Sequence, residues 1–374
     1  MKIKIKTNYF IISVLCFLTL WAGIYAQDRR TTPTKVADLL AQLPAGDNSH
    51  TDKLMSDLLE LGEEGLKMVC DQIIPAGTGD DTRARFAVES LSRFLSRRGK
   101  DAEKASWEKT CISYISGQQK NDVKDFFMKQ RQLVGSDASV EAVKLMLNDR
   151  DLCAPALGVI ESVGGSLAEK ILAISLSNRD LPCTASVMNI LANMESGMAV
   201  DEYIAWASDV NPDIRSSALN ALARSGSPRA LPILAKAAKD VLYQWEPSGA
   251  TAALLTYAAK VGENGDLKTM DKICRLVIAK STNKLSIQYK TQALMIIVGY
   301  HGIDAMKELK KAAESPDKSY RNAAFRASLA IPGNEIVREW LNYFPKSIAE
   351  ARPEIISMLG ERRDEAALQL ITSS

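Results

Sequence analysis

Histidine is nearly absent: His50 and His301 are the only two in 374 residues. Neither has a second His or a Cys at ligand spacing, which argues against a zinc site or a His-activated nucleophile. Aromatic residues make up 6% of the chain. Long Val/Ile/Thr/Tyr runs are scarce, so a sheet-based fold is not expected. An excess of one charge is missing too. The formal net charge is +2, far from the basic surplus that nucleic acid or an anionic membrane surface demands. No C-x-x-C spacing occurs. Cys70, Cys111, Cys153, Cys183 and Cys274 are widely spread among apolar neighbours. That is the pattern of small buried side chains rather than a dense disulfide framework, with room for one pair in an oxidising compartment.

What is abundant is Ala, Leu, Lys, Arg and Glu, the helix formers. The first 26 residues differ. Lys2, Lys4 and Lys6 precede an apolar stretch from Phe10 to Trp21, and small residues lead to Ala26. This is the order of a secretory leader, and the apolar run is shorter than the roughly 20 residues of a membrane span. Cleavage after Ala26 is expected. It removes three lysines and no acid, taking the net charge from +2 to −1. Cys16 follows Leu15, which is not the small residue a lipoprotein signal requires.

The remainder reads as a repeat. In 211–240, Asn211 is placed to cap a helix, Pro212 suits its first position and Asp213 its first turn. Ile214, Ala218, Leu219 and Leu222 recur at helical spacing. The "SGSP" break follows, and a second helix is predicted with Ser227 as cap and Pro228 at its start. The same grammar returns at Pro316, Asp317, Arg321, Ala324 and Ala327, and again around Arg352. Upstream, "DRDLCAPALG" and "NRDLPCTASV" repeat at an offset of 29, from Asp151 to Asp180. One such helix pair cannot bury its apolar face alone, so the pairs must stack. The fold class predicted is all-α, a solenoid of roughly eight to ten antiparallel helix pairs by the repeat-length rule. The expected organisation is a leader over 1–26, a helical lead-in over 27–66 and the solenoid over 67–374, incomplete at its C-terminal end.

Sites for chemistry are few. "PAGTGDDTRARF" offers Gly77 and Gly79 but has Thr82 where a dinucleotide fingerprint needs its third glycine. Asp80 and Asp81 fall at a helix start, where a phosphate would sit and two carboxylates would repel it. They suit helix caps instead. Glu63–Glu64 are sequence neighbours that do not face each other on a helix. Asn148, Asp149 and Asp151 lack the glycine and distal Glu of a calcium loop. Arg93, Arg97, Arg98 and Lys100 form a small basic cluster, read as a solvated helix end or an anionic-partner patch. Trp107, Trp206, Trp245 and Trp340 fall in different repeats and are read as core or groove residues. No catalytic residue, metal or cofactor is expected.

The motif P-D-x-x-R-x-x-A-x-x-A-L, carried with varied spacing by Pro212, Asp213, Arg215, Ala218, Ala221 and Leu222, resembles the HEAT repeat family. The resemblance implies a curved α-solenoid that binds a protein or peptide along its concave face. It also implies that Asp213, Arg215, Asp317, Arg321 and Arg352 serve contacts between repeats and not catalysis. The stretch from Leu39 to Leu95 looks like the start of secreted HEAT proteins of Bacteroidetes, which often precede a domain of the 3-keto-disaccharide hydrolase type. That likeness implies export to the periplasm or exterior of a Gram-negative bacterium. The functional expectation is a non-enzymatic scaffold that meets no nucleic acid and has no membrane span after leader cleavage. The alternative is an accessory region of a larger carbohydrate-active enzyme.

Overall fold

The computed structural model describes residues 30–363 together with Leu368 and Thr372. The leader expected over 1–26 and most of the helix expected from Asp364 lie outside the described residues. Within them all regular structure is helical. The chain divides into two compact units, Met1–Ser136 and Asp137–Ser374.

The first unit holds α1 (Thr32–Ala41), α2 (Asn48–Glu60), α3 (Gly62–Cys70), α4 (Thr82–Arg98), α5 (Asp101–Ile115) and α6 (Asn121–Val134). Helix α1 packs on α3, α2 on α3 and α4, α4 on α6, and α5 on α3 and α6. The core is built from Met55, Leu58, Leu66, Leu91, Leu95, Trp107, Ile115 and Phe127, all essentially inaccessible. Tyr114 stacks on Phe127 with ring centroids 4.6 Å apart. Trp107 satisfies its one polar atom by donating Nε1–H to Ser92 Oγ at 3.0 Å, as a buried indole must.

The second unit opens with α7 (Asp137–Val143) and α8 (Cys153–Val163). It continues through α9 (Gly165–Ser175), α10 (Thr184–Asn193), α11 (Val200–Trp206), α12 (Pro212–Ser225), α13 (Ala230–Asp240) and α14 (Ala250–Glu263). It ends with α15 (Leu267–Lys280), α16 (Ile287–His301), α17 (Met306–Ala313), α18 (Lys318–Ala330), α19 (Glu335–Tyr343) and α20 (Arg352–Arg362). Helices α10, α12, α14, α16, α18 and α20 form one row, each packed on the next. The intervening helices make a second row against it, in a solenoid of helix pairs.

Local chemistry sets the helix ends. Asn211 Oδ1 accepts from Asp213 N–H at 2.9 Å, and Pro212 occupies the first helical position. Gly226 closes α12 in the left-handed region, φ 62°, which glycine enters without steric cost. Asp317 Oδ1 accepts from Tyr320 N–H at 3.0 Å. At the "SGSP" break the structure differs from expectation. Ser227 and Pro228 form a turn, with Ala230 N–H on Ser227 O at 2.9 Å, and α13 starts only at Ala230. The turn satisfies that amide without a side-chain cap.

Alanine is concentrated where the first row packs. Ala192, Ala218, Ala221, Ala253, Ala258, Ala324 and Ala327 are all buried. Their lack of side-chain bulk lets neighbouring backbones approach, and interiors this dense resist added volume. Ala218→Leu is therefore expected to destabilise the protein by about 1–3 kcal/mol through overpacking. A urea titration measures this, and an unchanged midpoint would show that α12 is not tightly held at that flank.

Candidate functional site

The Gly77–Asp81 segment is a braced turn. Asp81 accepts from Ile74 N–H at 3.0 Å and from Arg85 Nε at 2.8 Å. Arg85 Nη2 donates back to Ile74 O at 2.8 Å, and its guanidinium lies 4.6 Å from the Phe126 ring centroid. Asp80 Oδ1 takes Thr82 N–H at 3.0 Å. Only Asp80 thus behaves as a local cap, while Asp81 clamps the turn to α4. A cavity of about 630 Å³ opens beside it, between α1 and α3, lined by Leu40, Met68, Gln72, Asp80, Asp81 and Arg83. Its two carboxylates are already committed to the turn.

The repeat-motif residues divide in the structure. Arg321 is buried and reaches the next repeat, with Nε to Glu354 Oε2 at 2.8 Å and Nη2 to Glu354 Oε1 at 3.1 Å. Its Nη1 donates to Ser315 O and Pro316 O. Arg215 instead stays within its own turn, donating to Asp209 O at 2.7 Å. Arg352 opens α20 at the first helical position and is exposed. Arg224 and Arg362, which the motif did not mark, reach back across repeats. Arg224 Nε donates to Ala192 O at 2.7 Å, and Arg362 to Ser328 O, Ile331 O and Gly333 O at 2.9, 2.8 and 2.7 Å. Their signal was the position of a basic residue in the last turn of a helix. Ala218, Ala221, Leu222, Ala324 and Ala327 are buried in the row.

The duplicated "NRD"-type turns touch. Asn178 Nδ2 donates to Asn148 Oδ1 at 2.8 Å, and Cys153 and Cys183 are joined as a disulfide. Cys70, Cys111 and Cys274 are free and buried, and burial pushes each thiol up, Cys111 and Cys274 to about 12. Asp149 Oδ1 takes Asp151 N–H and Leu152 N–H, making an inter-helix turn. His50 Nε2 lies 3.3 Å from Gln42 Oε1, and His301 Nε2 lies 2.9 Å from Asp271 Oδ1. Among the described residues no group of three His, Cys, Asp or Glu could hold a metal ion. In the basic cluster Arg97 and Arg98 share the buried Asp52 carboxylate at 2.9 and 3.3 Å. Trp107, Trp206 and Trp340 are core, and Trp245 is 60% exposed.

The feature that spans several repeats is a groove of about 450 Å³ across α10, α12 and α14. Its walls carry Asn189, Asp213, Ser216, Asn220 and Thr256, with buried Ser217 and Ala253 beneath. None of the five wall side chains makes a hydrogen bond or ion pair with another described residue. Three helices at roughly 8–10 Å spacing cover about 20 Å. That is the length of about six extended residues. The arrangement can hold a backbone or polar side chains by hydrogen bonding, and no pair within it is set for proton transfer.

Residues 169–254, which contain most of this groove, match the family model described as HEAT repeats. No curated protein matches the chain. Among solved structures, a Kap121p mutant is similar with TM-score 0.54 at 12% identity, over 93% of this chain and 44% of that one. A Kap95:Nup1 complex is similar with TM-score 0.44 at 10% identity, over 88% of this chain and 56% of that one. The chain thus spans about half the length of these structures or less.

Two predictions follow from the clamps. Burial alone would raise the Asp81 carboxyl, but Arg85 and Ile74 N–H hold it below the ordinary carboxylate range. A folded-state pKa held down contributes stability that is present at neutral pH and is lost as pH falls through that pKa. Asp81→Asn is expected to cost about 1–3 kcal/mol at neutral pH, and its gap from wild type should close as the solution is acidified through the carboxylate range. Parallel unfolding curves at every pH would contradict this. For the buried pair, Arg321→Met or Glu354→Leu alone should cost about 3–5 kcal/mol, and the double variant far less. Additive losses in a double-mutant cycle would remove the pair from the inter-repeat contact.

Proposed function

We propose that this chain is an exported scaffold that binds a protein or peptide in the α10–α12–α14 groove and performs no reaction itself. The observation that carries this reading is the row of uncommitted hydrogen-bonding side chains, Asn189, Asp213, Ser216, Asn220 and Thr256, continued across three neighbouring helices of one row. An extended partner segment can spend its backbone N–H and C=O groups there, as peptide grooves require. The HEAT-repeat match over 169–254 supports binding as the use of that surface.

Residues with catalytic potential support the non-enzymatic reading by where they are committed. Asp80 and Asp81 brace a turn, and His301 pairs with Asp271 at a helix end. Export rests on the leader-like order of residues 1–26. Among the described residues no helix is long and apolar enough to cross a membrane.

The test is a photo-cross-linking amino acid placed at Asn220 in the producing cell, with Lys272 on the exposed side of α15 as the reference position. A discrete protein adduct is expected from position 220 and not from 272. Identical adducts from both positions, or none from 220, would reject the groove as the binding surface.

A further inference from the structure

Helix α13 ends in a turn that would ordinarily carry glycine. Tyr243 N–H bonds to Ala238 O at 2.9 Å and Leu242 N–H to Lys239 O at 2.9 Å, the pattern of a left-handed helix stop. Leu242 and Tyr243 then take φ 55° and 58°, a region costly for any residue with a Cβ. The end of α14 solves the same problem with Gly265, where Asp266 N–H bonds to Val261 O at 2.8 Å. At 242 a leucine bears the strain, and the residue is 68% exposed.

The strained turn aims a small apolar surface outward. Trp245 N–H donates to Leu285 O at 3.1 Å, joining loop 241–249 to loop 281–286. Trp245 and Leu285 are both 60% exposed. The acids of this edge are spent internally: Glu246 accepts from Ser248 N–H, Ser248 Oγ and Ala250 N–H, and Asp240 pairs with Lys236. Lys239, Lys280 and Lys284, at or within the two loops, are exposed and join no ion pair with a described residue. An exposed indole and two exposed leucines, with Lys284 next to Leu285 in the chain, Lys239 three residues before Leu242 and Lys280 immediately before the second loop, have the composition of a docking site: an apolar anchor accompanied by positive charge.

We propose that the 241–249 and 281–286 loops dock an acidic segment of a partner protein through a bulky apolar anchor seated on Trp245, Leu242 and Leu285. Lys239, Lys280 and Lys284 leave positive charge in excess of the Glu246 carboxylate and so select the acidic character, and the strain at Leu242 holds the apolar side chain out. This surface borders the polar groove at Pro247 and does not depend on it, so blocking the groove with Asn220→Arg leaves it intact.

The experiment is fluorescence anisotropy on the full-length protein. The probe is a labelled peptide alternating glutamate and leucine, and a lysine–leucine peptide of equal length is the control. Saturable binding of the acidic probe alone is expected, weakening with salt and shifting Trp245 emission to the blue. Trp245→Ala and Lys284→Glu should each weaken binding about tenfold. Leu242→Gly, which removes the strain at that residue, should leave the melting temperature equal or higher while lowering affinity, a pattern a structural role cannot give. Equal binding by wild type and Trp245→Ala, or no preference for the acidic probe, overturns the proposal. So does sedimentation showing a wild-type dimer that Trp245→Ala dissolves, since the occupant is then a second copy.

Discussion

A helix ends with carbonyls that have no partner further along its own backbone, and in a stack those ends lie beside the next repeat. In this chain the next repeat supplies the missing donor. Trp206 Nε1 reaches Leu176 O at 3.3 Å, Arg224 reaches Ala192 O, Arg362 reaches three carbonyls around the end of α18, and Tyr114 OH reaches Lys67 O at 3.2 Å. Apolar burial has no direction, so it brings helices together without fixing how one is turned against another. The reach-back hydrogen bonds do have direction. They set the register in which alanine flanks meet, and the groove and the edge loops inherit their positions from that register.

The second unit was legible in the sequence wherever a local rule decided the outcome. Asn211, Pro212 and Asp317 mark helix starts through chemistry confined to one turn, and the all-α class follows from composition and spacing. Partnerships across repeats were less legible. Arg215 and Arg321 share a motif position, but only Arg321 hydrogen-bonds to a carboxylate, because Glu354 faces it from α20. Arg352 has the right sequence distance from Arg321 but opens its helix, and Arg362 makes the inter-repeat bonds instead. Cys153 and Cys183 look like ordinary buried cysteines until the 30-residue repeat lays one turn over the other. The groove was the least readable feature, since Asn189, Ser216, Asn220 and Thr256 are common residues whose meaning lies in being adjacent and uncommitted.

Small residues act twice in this architecture. On the buried flanks of α12 and α14 they let the row close up, and on the open face Ser216, Ala252 and Gly249 keep the groove open. The edge loops show the opposite choice, with large apolar side chains held in solvent. Polar recognition along the row and apolar recognition at its edge can therefore coexist within neighbouring repeats.

The reach-back contacts also order events in time. In the second unit each of these donors lies about one repeat after the carbonyl it serves: 30 residues for Trp206, 32 for Arg224 and 31 for Arg362 with Ile331. A ribosome makes the acceptor helix first and the donor only after another helix pair has been translated. A chain that emerges N-terminus first, from a ribosome or a translocon, can therefore close its repeats in order, each waiting for a donor about one repeat further on.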